Sequence, residues 1–296
     1  MNKTRNTFLL ILTAFIWGVA FVAQSVGNTY VGPWTFTASR SVIGALFLIP
    51  CIAFLDKFKE KNHEVVEKGH PKTLLLGGIC CGTALAIASM LQQYGIGYTT
   101  VGKAGFITAL YIILVPILGI FLKRKPGLRV WISVLLSVIG LYFLCMTDRL
   151  YLGKGDLLVM LCALAFSFHI LIIDHFSPMV DGVRMACIQF AVVAVLCGIP
   201  ALILERPTMS ALLSAWAPIL YAGMLSSGVG YTLQIVAQKN YDPTIASLIM
   251  SLESVFSVLA GWVILKQALS ARELFGCVLM FGAIILVQLP ERKKHK

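Results

Sequence analysis

The sequence predicts an all-α integral membrane protein: ten transmembrane helices, as two inverted five-helix repeats around a central cavity. Three observations carry this reading. Of 296 residues, 58% are hydrophobic and 12% charged, with mean hydropathy +0.88; a soluble chain carries about 25% charged residues. The apolar residues fall into ten runs, each close to the roughly 20 residues that span a bilayer as a helix. The second half repeats the first. No run alternates strictly, as a membrane strand would.

The first run, 7–26, follows Lys3 and Arg5 as a signal peptide would. It is long for one, contains Trp17 and ends without a small-x-small cleavage site, so it reads as a retained helix. The second, 34–55, opens after Pro33 and contains Arg40. The third, 73–94, carries Gly78 and Gly82 at the GxxxG spacing that lets helices approach closely. The fourth, 101–122, begins around Lys103 and holds Pro116, a kink site. The fifth, 128–147, lacks interior charge. The sixth, 155–173, contains His169, and the seventh, 184–204, contains Gln189. The eighth, 213–237, holds Pro218 and leads into Gln234 and Gln238, spaced i, i+4 on one face. The ninth, 243–265, contains Glu253, the one acid in the middle of a run; the tenth, 272–289, lacks interior charge. Loops are short. The longest, 56–72, is polar, so no soluble domain fits between the runs.

The net charge is +11. With the N-terminus inside, 17 Lys and Arg fall on the cytoplasmic side, 6 fall outside or near the outer ends, and Arg40 lies within a helix. This bias marks an even number of spans with both termini in the cytoplasm. The basic balance is therefore topological, and nucleic acid is not an expected partner. The eight cysteines all lie in the runs, with no CxxC pair or His/Cys metal spacing, and read as packing residues. No P-loop, nucleophile triad or metal cluster is present in the sequence, so neither catalysis nor a cofactor is expected.

The repeat emerges at fixed offsets. A shift of 149 places Ala14 on Ala163, Trp17 on Phe166 and Arg40 on Gln189. A shift of 142 pairs Ala104 with Ala246, Gly119 with Gly261 and Gly140 with Gly282. The halves divide at 1–150 and 151–296. Five helices per half is odd, so the second unit must enter the membrane from the opposite side, which puts the substrate path between the halves near the midplane.

WGVAFVAQ (17–24), GPWTFTASRSVIGAL (32–46), LQQYGIGYTTVGKAGFITALYIILVPILG (91–119) and GYTLQIVAQKNYDPTIASLIMSLESVFSVLAGW (230–262) resemble the EamA family of the drug/metabolite transporter superfamily. The match runs over essentially the whole chain. The family usually shows Glu-Pro where this chain has Glu253-Ser254, and often Gly-Glu where it has Lys266-Gln267. The resemblance implies ten helices around a cavity, and export or exchange of small metabolites, often amino acids or amines, by alternating access. It further implies a multi-pass protein of the bacterial cytoplasmic membrane, with a small-molecule metabolite and membrane lipid as its partners.

Ionisable groups in hydrocarbon tend to face a cavity or a partner. Arg40 could bind a carboxylate or pair with an acid; it could also snorkel or bond helix-end carbonyls. Glu253 could carry a coupling proton or pair with a cationic substrate; the alternative is a fixed bond that kinks its helix. His169 is a second proton-coupling candidate, against a satisfied packing role. Lys103, between Gly102 and Gly105, could reach an anionic group or serve as an interfacial anchor. Gln24, Gln93, Gln189, Gln234 and Gln238 could line a wet cavity and suit zwitterionic solutes, or simply join helices. Trp17, Tyr111 and Tyr231 lie well inside their runs and could stack on a substrate. Two other classes compete with a transporter. An intramembrane enzyme acting on lipid or prenyl groups would need clustered acids or a nucleophile–base pair. A non-transporting scaffold would not need an inverted repeat with buried Arg and Glu.

Overall fold

The computed structural model describes residues 3–62, 69–99, 101–145, 153–266 and 270–289, without the side chains of 101–103, 144–145 and 265. Among them there is no strand, only an isolated bridge between Gly69 and Val180. The helices are α1 (Lys3–Gly27), α2 (Pro33–Lys61), α3 (Pro71–Ile96), α4 (Ala104–Phe121), α5 (Leu128–Cys145), α6 (Lys154–Phe176), α7 (Gly182–Glu205), α8 (Trp216–Gln238), α9 (Pro243–Ile264) and α10 (Ala271–Gln288). Among the described residues, nine of these are long and apolar enough to cross a bilayer. The apolar stretch of α5, Leu128–Phe143, is shorter, and the run expected at 128–147 continues into residues outside the described ones.

Two expected boundaries are corrected. The second run does not end at 55: α2 continues to Lys61. The polar extension is held by ion pairs to the start of α7, Asp56 with Arg184 and Lys59 with Asp181 at 3.6 Å. The eighth run does not start at 213, because Met209–Ser214 forms a separate short helix capped by Thr208. Other starts follow local chemistry. Pro33, Pro71 and Pro243 occupy first-turn positions whose N–H has no intrahelical partner. Asp242 accepts from Thr244 and Ile245 N–H, and Ser270 with Glu273 forms a capping box.

Helices of one half pack mainly on helices of the other. α3 packs on α6 and α7, α1 on α8 and α9, α2 on α7 and α8, α4 on α6 and α9, and α5 on α10. Exchanging α1–α5 for α6–α10 maps this set of partners onto itself. The GxxxG face of α3 meets α7, where a Cβ on Gly78 would lie 2.4 Å from Ile188 and one on Gly82 2.8 Å from the Gln189 carbonyl. The expected close helix contact is there, and only a bare backbone permits it.

Helices α4 and α9 are interrupted at positions 142 residues apart. In α4 the pitch tightens at Leu110, where Leu110 N–H reaches Ile107 O and Ile113 N–H reaches Leu110 O. In α9 it tightens at Ser251 and Leu252, with Leu252 N–H to Ile249 O and Ser254 N–H to Ser251 O. Such i to i−3 bonds are 3₁₀-like. In α9 the hydroxyls of Ser247, Ser251 and Ser257 each bond the carbonyl three residues back, which competes with the regular ladder. α7 and α8 instead widen into π-helix, at Ala201–Glu205 after Pro200 and at Tyr221–Gly230 after Pro218.

Candidate functional site: a central cavity between the halves

The two interruptions bring Tyr111 and Glu253 together. The Tyr111 hydroxyl donates to Glu253 Oε1 at 2.9 Å, and both residues are buried. They lie 142 residues apart, one of the two repeat offsets. Glu253 is set by the approach of α1, since a Cβ on Gly18 would fall 2.8 Å from the Glu253 carbonyl.

Around this pair lies a narrow cavity of about 30 Å³. α1 contributes Trp17, Ala20, Phe21 and Gln24, α2 contributes Arg40, and α3 contributes Gln92. Thr108 and Tyr111 come from α4, Phe166 and Ile170 from α6. Ser226, Tyr231 and Gln234 belong to α8, and Met250 and Glu253 to α9. α5, α7 and α10 give no lining side chain among the described residues. Ten of the fifteen lining residues fall in pairs: Trp17 with Phe166 and Phe21 with Ile170 at 149, Gln92 with Gln234, Thr108 with Met250 and Tyr111 with Glu253 at 142.

Arg40 and Glu253 are the charged residues of this lining, each 4% exposed. Among the described residues neither is in an ion pair, and Arg40 has no side-chain hydrogen bond. Arg40 is held in the core because α2 and α8 touch backbone to backbone. A Cβ on Gly223 would lie 3.0 Å from the Arg40 carbonyl, and one on Gly44 3.2 Å from the Gly223 carbonyl. Trp17 packs on Tyr231 with centroids 4.5 Å apart, and its indole N–H donates to Ser226 O at 3.4 Å. The opposite wall is amide and hydroxyl, with Gln92 Nε2 donating to Thr108 Oγ1 at 3.3 Å. Gln234 Oε1 is buried without a protein partner.

Gln93, His169, Gln189 and Gln238 sit outside the lining. Gln93 faces α1, donating to Gln24 O at 3.2 Å and Asn28 Oδ1 at 2.7 Å. His169 and Gln189 bond each other at 2.8 Å behind Tyr231, whose ring lies 5.9 Å from the imidazole. Gln238 donates to Ile170 O at 3.4 Å. Lys103 lies in the first turn of the helix that begins at Val101 and runs into α4, and its side chain is outside the described ones. Of the two glutamines that end the third run, Gln92 reaches the cavity and Gln93 does not. Sequence reasoning passed over Phe21, Thr108, Phe166, Ser226 and Met250. The repeat offset was the available signal: applied to Gln234, the shift of 142 leads back to Gln92.

Comparison with known proteins now decides the family. Residues 5–146 and 153–289 each match the EamA-like transporter family. The chain belongs to the EamA-like transporter family. A relative from Archaeoglobus fulgidus, described as an uncharacterized transporter, is 28% identical over 286 residues, covering 95% of this chain and 84% of the relative. The uncharacterized transporter YoaV of Bacillus subtilis is 23% identical over 283 residues, covering 94% of each chain. A protein of known crystal structure shares the fold with TM-score 0.77 at 17% identity, over 97% of both chains. Family and relatives support a membrane transporter rather than an enzyme, and the apolar helices make it a multi-pass membrane protein.

Proposed function

We propose that the protein moves a small metabolite, an amino acid, an amine or a related solute, across the bacterial cytoplasmic membrane by alternating access, in export or exchange. The observation that carries this is the central cavity, where an unpaired Arg40 and Glu253 face the same space among aromatic and amide side chains. A carboxylate would meet the Arg40 fork and an amine the Glu253 carboxylate. Trp17, Phe21 and Phe166 suit an apolar body, and Gln92 and Gln234 supply donors and acceptors.

The two EamA matches support reading 1–150 and 151–296 as repeats. The partner set that survives exchange of the halves and the paired lining support an inverted relation between them. Charge bias supports both termini in the cytoplasm and ten spans, with α5 as the tenth. In this reading the cavity binds substrate, Glu253 carries the coupling proton, and both sides of the membrane reach the cavity in turn. A metal-dependent enzyme acting on lipid would need a second acid beside Glu253, and among the described lining residues there is none.

The test is flux in proteoliposomes against a panel of amino acids and amines. Saturable uptake of at least one of them, lost on Arg40→Met, is the expected result. No protein-dependent flux of any panel member would refute this substrate reading.

A further inference from the structure

Glu205 at the end of α7 and Asp56 in the last turns of α2 each engage the opposite half, at opposite ends of the bundle. Glu205 closes α7 and accepts from the N-terminal amides of α2: Trp34 N–H at 3.0 Å and Thr35 N–H at 2.7 Å. Asp56 lies near the end of α2 and binds the Arg184 guanidinium in the first turn of α7. The offset of 149 carries Asp56 onto Glu205 and Thr35 onto Arg184. The same contact is therefore made twice, once at each end of the α2–α7 pair.

Local chemistry explains why the two differ in detail. The N-cap of α7 is Asp181, whose own carboxylate accepts from Arg184 N–H at 2.9 Å. The equivalent N-cap of α2 is Gly32, which has no side chain to cap with. The carboxylate for that helix start comes from Glu205 of the other half, and Gly32 makes room for it: a Cβ there would lie 2.2 Å from Glu205 Cδ. At the other end Asp56 finds a helix start already capped and takes the arginine side chain instead. Lys59 adds a second bond there, to Asp181 at 3.6 Å.

We propose that Glu205 on the α2 N-terminus and Asp56 on Arg184 are a pair of gate latches, one at each end of the α2–α7 pair, and that transport opens them one at a time. The proposal rests on the alternating-access reading above. Both latches are closed in this structure. Each joins one half to the other, so parting the halves at one end must break the latch there. The latch that remains holds the far end shut. Removing one latch therefore stabilises the state open at that end, and the far end spends more of its time closed.

Hydrogen exchange of the full chain in nanodiscs tests this on two segments, 31–38 and 178–187. Glu205→Ala removes a charged acceptor of two amides, an effect of about tenfold or more in an equilibrium. Exchange of 31–38 is expected to rise by that order, and exchange of 178–187 to fall below the wild-type value. Asp56→Asn is expected to do the reverse. Gly32→Ala keeps the Glu205 charge and displaces only the end of its flexible side chain; it should reproduce Glu205→Ala. Faster exchange at both ends, or a change confined to the mutated end, overturns the latches. Unchanged protection in α5 and α10 separates a gate shift from unfolding, and Gly32→Ala decides the matter if Glu205→Ala loses that protection. Flux in proteoliposomes is read in parallel. Saturable flux with one-sided exchange changes would remove the latches and leave the transporter. Reciprocal exchange without flux of any substrate would remove the substrate reading and leave the latches.

Discussion

Replacing Arg40 by Met should make the empty protein more stable and less able to bind. Arg40 is 4% exposed, beyond the second turn of α2, with no ion pair and no side-chain hydrogen bond among the described residues. Placing an arginine at a helix centre in the membrane costs ~2.5–3.5 kcal/mol. Its contact with the cavity returns part of that, and Met keeps the length and apolar stem while removing the charge. A gain of about 1–3 kcal/mol follows, which at about 2–4 °C per kcal/mol is a rise of roughly 2–12 °C in Tm. Arg40→Lys keeps the charge and loses the planar fork, so it should leave Tm near the wild-type value and weaken transport. The assay is thermal unfolding in detergent, with and without a transported substrate. Substrate should raise the Tm of the wild type, by RT ln(1 + [L]/Kd), and leave that of Arg40→Met unchanged. A lower Tm for Arg40→Met would refute the reasoning: the guanidinium would then be holding the fold together, and its place in the cavity would be structural.

Three further outcomes follow from the same geometry. Glu253→Gln keeps the size and the Tyr111 contact while removing the exchangeable charge; it should abolish accumulation driven by a pH gradient and leave substrate exchange, and accumulation that persists would move the coupling role elsewhere. Gly140 in α5 and Gly282 in α10 lie 142 residues apart, yet a Cβ on Gly140 would lie 2.8 Å from Met280 and 2.9 Å from the Gly276 carbonyl, whereas one on Gly282 meets nothing within 4 Å. Gly140→Ala should therefore destabilise by about 1–3 kcal/mol, and Gly282→Ala should be neutral or stabilise by roughly 0.5–1 kcal/mol, both read as Tm shifts. Gln92→Leu should lower substrate affinity several-fold, while Gln93→Leu, which loses its bonds to Gln24 O and Asn28, should lower Tm instead.

The lengths of the apolar runs and the paired small residues made the helices and the family legible in the sequence. Mid-run charge did the same for Arg40 and Glu253, because hydrocarbon makes any such group conspicuous. What remained hidden depends on neighbours. α2 runs on to Lys61 because Asp56 and Lys59 find partners on α7, a contact that hydropathy does not register. Gln92 and Gln93 are adjacent and equally polar, and only the rotation of α3 against α1 and α4 sends one to the cavity. The interruptions at Leu110 and at Ser251–Leu252 carry no Gly or Pro of their own. In α9 they trace to serine hydroxyls bonding back onto the helix, a signal that a residue-by-residue propensity overlooks.

The most direct test of a single site serving both faces of the membrane is counterflow. Proteoliposomes loaded with unlabelled substrate are diluted into a trace of the labelled form, with no pH gradient. An alternating-access carrier with one central site should show a transient overshoot of label inside, saturating with internal substrate, and Arg40→Met should show none. Uptake that rises in proportion to concentration, with no overshoot and no effect of internal substrate, would contradict the account and describe a pore instead.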